Sequence, residues 1–214
     1  MLAESTSAGA NAHAEAPQYA VDPNASEVRL LVYRDGPLAR FGHNHVLVGR
    51  VRGAIHAGAD AAQSGFGLEI PVDSLVVDPP AARAEEGPEF ASQVSDAARE
   101  ATRENLLGKD VLDAASAPII RVESVSLAGP DWNPTVTARA TLRGRSRDLR
   151  FPAAVFRQGD ALIVVAAFAI SQSAFGIEPF STLNGGLRVL DTLDVRIRVV
   201  SRRSPLHGGV GPIS

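Results

Sequence analysis

The fold is decided by the stretch FGHNHVLVGRVRGAI, which runs from Phe41 to Ile55. Its second half alternates apolar and polar positions, as a half-buried β-strand does. His43 and His45 stand two positions apart at the start of this strand, and such side chains point to the same face. The stretch therefore predicts a strand that carries two imidazoles at one end.

Seven further segments show the same period-two pattern or a short apolar run bounded by turn residues. The eight predicted strands are 27–33, 45–57, 65–72, 119–127, 135–142, 148–156, 161–171 and 187–201. Many short strands at regular spacing are typical of an antiparallel barrel or sandwich. The chain is thus predicted to be all-β, with one inserted helix.

The inserted helix is predicted within residues 88–112, where the period of two is lost. Gly108 is the expected C-terminal stop. Six apolar residues approximate one helical stripe: Phe90, Val94, Ala97, Ala98, Ala101 and Leu106.

The predicted strand 161–170 is apolar on both faces, whereas a barrel strand exposed to water alternates. Its outer face must be covered by the helix, by a partner subunit in a homodimer, or by lipid. The pattern does not choose between the helix and the dimer.

Composition excludes several classes of function. The formal net charge of −3 does not favour nucleic-acid binding, and the absence of cysteine excludes disulfides and thiolate metal sites. No apolar run approaches the ~20 residues that span a membrane. We expect residues 1–18 to be disordered, with no features of a signal peptide, and residues 202–214 to form a flexible tail.

Several short motifs occur in a fixed order along the chain, and together they resemble those of the YceI-like family. The residues that carry the resemblance are His45, Gly53 and Ile55; Ser74 and Leu75; Arg103, Glu104, Leu107, Asp110, Leu112 and Pro118; Gly144, Arg145 and Ser146; and Ala174, Phe175, Gly176 and Ile177. Three features depart from the family pattern: an aliphatic Ile55 in place of an aromatic, a second imidazole at His43 beside the family position, and an apparent insertion over 79–98 that would lengthen the helix or add a lid.

The resemblance implies an eight-stranded, antiparallel, lipocalin-like β-barrel over residues 19–201 that encloses an isoprenoid or quinone-like lipid. It also implies a non-catalytic carrier or storage protein in the periplasm or outside the cell, with no required cofactor. An eight-stranded barrel has room for one slender ligand. The residues expected to contact the ligand are His43, His45, Val46, Val48, Leu68, Ile70, Val122, Val165, Ala167, Phe175 and Val195.

The two histidines leave three interpretations open. They could be the working site of a metal- or cofactor-binding envelope protein, and for a divalent metal a third ligand would come from His56, Asp35, Glu69 or Asp73. They could instead contact a polar headgroup such as a quinone carbonyl or a diphosphate. In the third interpretation they play no part in binding, and His45 forms a structural hydrogen bond.

Enzymatic activity has little support in the sequence. There is no Gly-x-Ser-x-Gly, P-loop, Gly-x-Gly-x-x-Gly or His-Glu-x-x-His motif. Asp191 and Asp194 lie at odd spacing on a predicted strand, so they should face opposite sides. We therefore expect a binding protein rather than an enzyme.

Overall fold

The computed structural model describes residues 17–204. Its strands are β1 (Gln18–Val21), β2 (Glu27–Val32), β3 (Arg34–Asp35), β4 (His45–Arg50), β5 (Arg52–His56), β6 (Gly65–Pro71), β7 (Val76–Val77), β8 (Ile119–Ala128), β9 (Thr135–Leu142), β10 (Arg145–Gln158), β11 (Ala161–Ser171), β12 (Ser181–Thr182), β13 (Leu187–Val189) and β14 (Thr192–Arg203). Its helices are α1 (Pro80–Ala84) and α2 (Asp96–Leu107). The predicted terminal segments lie largely outside the described residues, although β1 begins at Gln18 and β14 extends to Arg203.

The strands close into an eight-stranded antiparallel barrel, as predicted. Two of its eight members are broken strands, one formed by β1 and β2 and the other by β4 and β5. The others are β6, β8, β9, β10, β11 and β14. The ring closes because β14 pairs with β11 on one side and with both β1 and β2 on the other. A small sheet of β3, β13 and β12 lies outside this ring.

Inward-facing aliphatic side chains form the core, because every second residue of a barrel strand points to the interior. One buried cluster joins Val28, Val51, Leu68, Val195 and Val199 from four segments of the chain. Gly53, a motif residue, has φ +137° beside this cluster, and a Cβ there would lie 2.1 Å from the carbonyl oxygen of Gly67. A side chain at position 53 is therefore incompatible with the pairing of β5 and β6.

The segment that joins β7 to α2 packs on the outside of the barrel. Phe90 is fully buried there with Leu31, Val46 and Ala82, and its ring meets that of Tyr33 edge-on at 5.5 Å. The prediction that Phe90 belongs to the helical stripe is therefore wrong, because it lies in a separate 3-10 turn.

Ion pairs hold the same outer segment against the sheet. Arg29 on β2 contacts Glu85 and Glu86, each at 2.9 Å, and Arg196 on β14 contacts Glu86 at 2.7 Å. Most of the predicted insertion over 79–98 therefore lies on the outer wall of the barrel, before α2 begins at Asp96, and does not lengthen the helix.

Helix α2 begins at Asp96 and ends before Gly108, so the predicted stop is confirmed and the predicted start is too early. Ser95 caps its N-terminus by accepting a hydrogen bond from the amide of Ala98. Ala97 and Ala101 are exposed, whereas the face formed by Ala98, Thr102 and Leu106 turns toward the barrel interior.

The expectation that the inserted helix covers the outer face of β11 is wrong for helix α2. The helix packs against β7. The outward residues of β11 form part of a shallow outer surface, in which Val165 is half-buried and Ala167 is exposed. Coverage of this face by a partner subunit in a homodimer, or by lipid, stays a prediction.

Candidate ligand-binding site

A cavity of about 420 Å³ lies inside one end of the barrel. Its walls come from β2, β4, β6, β8, β9, β10, β11 and β14, while α2, the small sheet and the Phe41 turn surround its mouth. Aliphatic and aromatic side chains form most of the lining. The polar lining residues are Arg34, His43, His45, Thr102, Asn105, Gln172 and Arg188. An apolar cavity with a few polar groups is the usual form of a small-molecule site.

Most of the predicted contact residues line this interior. His43, His45, Ile70, Val122, Phe175 and Val195 line the main cavity, and Leu68 lines a smaller one of about 90 Å³ at the other end. His43 precedes β4, yet its ring faces the cavity with that of His45, with 6.4 Å between the ring centroids. Whether these residues contact a ligand stays a prediction.

Four of the predicted residues face away from the interior. Val46 and Val48 lie on the outer face of β4, where the segment that carries Phe90 covers them. Val165 and Ala167 lie on the outer face of β11. The inward positions are occupied by Leu47 on β4 and by Phe168 on β11. The expectation that these four residues line the cavity is therefore corrected, because both strands are apolar on both faces.

A buried carboxylate holds one side of His45. Asp78, just after β7, accepts a hydrogen bond from Nδ1 of His45, with 2.6 Å between that nitrogen and Oδ2. Its other oxygen, Oδ1, accepts from the amide of Val46 at 2.8 Å and from Nη1 of Arg83 at 2.6 Å. Burial opposes the charge of Asp78, but these hydrogen bonds outweigh it and lower the pKa of Asp78 below 3.8.

The carboxylate also determines whether the other ring nitrogen of His45, Nε2, donates or accepts a hydrogen bond. An ionised carboxylate only accepts, so Nδ1 must carry the proton, and Nε2 of the neutral ring is an acceptor. Among residues 17–204, no hydrogen bond is made by Nε2, and no buried polar side-chain atom lacks a partner. Nε2 is therefore accessible from the cavity that His45 lines.

His43 has a looser environment. Its Nδ1 lies 3.3 Å from the hydroxyl of Ser92. Burial is the main cause that lowers the pKa of His43 below its ordinary value of 6.5, followed by the electrostatic effects of the nearby His45 ring and of the Arg83 and Arg34 guanidinium groups. The neutral imidazole is therefore favoured at the cavity mouth.

The candidates for a third metal ligand are engaged elsewhere or point away. His56 lies at the far end of β5 beside Gln18, Asp35 pairs with Arg188, and Glu69 pairs with Arg52 on the outer surface. Asp73 is exposed in a turn that precedes β7. Within the part of the chain that the structure describes, no group of three His, Cys, Asp or Glu side chains could hold a metal ion.

Two stacked phenylalanines lie between the main and the smaller cavity. Phe168 on β11 lines the main cavity, and Phe151 on β10 lines the smaller one. Their rings are nearly parallel, with 4.1 Å between the centroids. Val122 and Ile197 line both cavities, so the two spaces adjoin at this level of the barrel.

Sequence reasoning missed Asp78, Arg83 and Phe168. Asp78 carries a weak signal, because it is a lone carboxylate between the apolar run 75–77 and the Pro79-Pro80 pair. Arg83 has no such signal, since only the three-dimensional path of the outer segment brings it to Asp78.

Comparisons with known proteins agree with this architecture. A family model described as YceI-like domain matches residues 19–201. No curated protein matches the sequence. The residues that the structure describes include no helix long and apolar enough to cross a membrane.

Similar folds occur among solved structures. BcnA from Burkholderia cenocepacia is 18% identical with a TM-score of 0.56, and the match covers 84% of this chain and 98% of BcnA. A polyisoprenoid binding domain from Saccharophagus degradans, implicated in plant cell wall breakdown, is 14% identical with a TM-score of 0.55, and the match covers 87% and 98% of the two chains. The YCEI protein of Campylobacter jejuni is 16% identical with a TM-score of 0.50, covering 72% and 81%.

Proposed function

Because the chain belongs to the family of YceI-like domain proteins, we propose that its barrel binds one isoprenoid or quinone-like lipid. The observation that carries the proposal is the cavity of about 420 Å³, which is apolar along its length and polar near its mouth. A ligand with a hydrophobic chain and a small polar head matches this distribution. The name of the Saccharophagus degradans domain, which is described as polyisoprenoid binding, supports the same class of ligand.

Burial of the ligand's hydrophobic chain supplies the binding affinity. Apolar surface removed from water contributes roughly 25 cal/mol per Å², so about 300 Å² contributes on the order of 7 kcal/mol before the costs of ordering the ligand. Binding of this kind needs no cofactor and no covalent step. We therefore propose a carrier or storage protein rather than an enzyme, acting in the periplasm or outside the cell as the family resemblance implies.

The polar end of the cavity orients the ligand. Nε2 of His45 faces the cavity as an acceptor, because Asp78 holds the proton on Nδ1. This arrangement favours a headgroup that carries a hydroxyl, such as a prenyl alcohol or a quinol. His43 lies beside it, where its neutral ring can contact the same headgroup.

Two neighbouring alanines on α2 offer a direct test. Ala98 faces the cavity mouth and Ala97 is exposed, so Trp at position 98 fills ligand space while Trp at position 97 points to water. We expect Ala98→Trp to weaken the binding of farnesol to the delipidated protein by about tenfold or more, and Ala97→Trp to leave it unchanged. Calorimetric titration measures both, and equal affinities in the two variants would contradict the proposed site.

A further inference from the structure

The turn that contains Phe41 and the turn between β12 and β13 form one continuous surface at the cavity mouth. The amide of Leu38 donates to the carbonyl of Gly186 at 2.8 Å, and β13 pairs with β3 through Arg188 and Asp35. Gly42 lies against the side chain of Leu187. We call this surface, made of residues 38–42 and 180–188, the rim.

Large apolar side chains on the rim project into water. Phe41 is 64% exposed, Leu183 is 59% exposed and Phe180 is 43% exposed. Phe41 and Phe180 also line the cavity, so the exposed apolar surface is continuous with the ligand site. Leu183 has a positive φ of 53°, a conformation that costs energy for a bulky residue and that Asn adopts more readily. Nothing in the fold of residues 17–204 requires an apolar side chain at that exposed position.

Arginines outnumber carboxylates around these side chains by three to two. The guanidinium of Arg40 lies 4.5 Å from the centroid of the Phe41 ring, and Arg34 and Arg188 are part of the cavity mouth. Neither 36–42 nor 179–187 contains an acidic residue. Of the carboxylates that flank them, Asp35 is paired with Arg188 and Glu178 is exposed.

We propose that the rim docks onto an anionic lipid bilayer, so that the cavity mouth faces the membrane from which a ligand enters. Aromatic and aliphatic side chains with adjacent arginines are the composition that binds at the headgroup level of a membrane. Arginines also gain from the negative surface potential of anionic lipids. The inference that the cavity mouth faces the membrane rests on the proposed function, because that function assigns the ligand to the cavity behind the rim.

The chain contains a natural control for this proposal. Trp132 is its single tryptophan, it is 70% exposed, and it lies in the turn between β8 and β9. Asp131 and Pro134 from the same turn line the smaller cavity, so Trp132 marks the end of the barrel away from the rim. Trp132→Phe combined with Leu183→Trp moves the only tryptophan to the rim.

The experiment adds vesicles of phosphatidylcholine mixed with phosphatidylglycerol and records tryptophan emission. We expect a blue shift for the rim tryptophan and no shift for Trp132 in the unaltered protein. We also expect Leu183→Asn with Arg40→Gln to weaken sedimentation with these vesicles by about tenfold, and vesicles of pure phosphatidylcholine to bind less.

Three outcomes would overturn the proposal. These are an absence of binding to either vesicle, a blue shift of Trp132 instead of the rim tryptophan, and a blue shift that grows with protein concentration without vesicles. The last result would assign the rim to a contact between two copies of the chain. Native mass spectrometry of the same variants separates this question from the proposed function, since a lipid adduct reports on the cavity and not on the rim.

Discussion

Nδ1 of His45 lies 2.6 Å from Oδ2 of Asp78, and the same carboxylate is held by Arg83 from the outer segment. A network on the outside of the barrel therefore determines which atom of His45 faces the cavity. The hydrogen bonds among His45, Asp78 and Arg83 connect the polar end of the ligand site to the outer segment that covers β2 and β4.

The acceptor role of His45 predicts a preference between two related ligands. Farnesol carries a hydroxyl, and farnesene has a similar chain without one. We expect the protein to bind farnesol about fivefold more tightly, the value of one hydrogen bond. His45→Leu should remove this preference, and His56→Leu at the far end of β5 should keep it. If His45→Leu keeps the same ratio of affinities, the headgroup does not contact this ring.

Asp78 should be needed for stability. Asp78→Ala leaves Arg83 and His45 without their buried partner, so we expect the free energy of unfolding to fall by about 3 kcal/mol and Tm by about 10 °C. Asp73→Ala removes an exposed carboxylate five residues earlier and should change Tm little. Thermal unfolding followed by circular dichroism measures both, and equal Tm values would show that the network does not stabilise the barrel.

The stacked pair of Phe151 and Phe168 should limit the length of the bound chain. Phe168→Ala is expected to join the two cavities, at a cost of about 3 kcal/mol in stability. The variant should then bind geranylgeraniol better relative to farnesol than the unaltered protein does. Phe156→Ala, on the exposed side of β10, is the matched control. An unchanged length preference in Phe168→Ala would show that the rings do not divide the ligand space.

His43 should make stability depend on pH. Its folded pKa is lower than 6.5, so the unfolded chain takes up the proton more readily, and stability falls as the pH decreases from 6.5 to the folded pKa. Asp78 affects stability in a separate pH range. Because its folded pKa is lower than 3.8, its contribution to stability is retained until the pH falls below 3.8. We expect His43→Gln to reduce the loss of Tm between about pH 7 and pH 5. Parallel Tm profiles for the variant and the unaltered protein would contradict this assignment.

The strands whose inner face could be predicted are those with polar residues opposite. On β14, arginines alternate with Val195 and Ile197, and on β6, Glu69 separates Leu68 from Ile70. The predicted interior positions of Leu68, Ile70 and Val195 are therefore confirmed. On β4 the run Val46-Leu47-Val48 gives no such contrast, and the outer face is apolar because Phe90 and Ala82 cover it.

The long-range partners could not be predicted for a different reason. Asp78 meets His45 because β7 pairs with β4, and Arg83 meets Asp78 because α1 turns back over β4. Neither path is set by a period in the sequence. The stacking of Phe151 on Phe168 likewise depends on the register of β10 against β11. Local patterns identify strands and caps, such as Gly108, but they do not specify register.

The most direct test of the proposed function is a native mass spectrum of the protein purified without detergent. We expect an adduct of several hundred daltons that extracts into organic solvent and is reduced in Ala98→Trp but not in Ala97→Trp. A bare chain mass that also fails to shift when farnesol is added would contradict lipid binding. An adduct with the mass of a single transition metal, lost when His43 and His45 are both replaced by alanine, would favour the metal site instead.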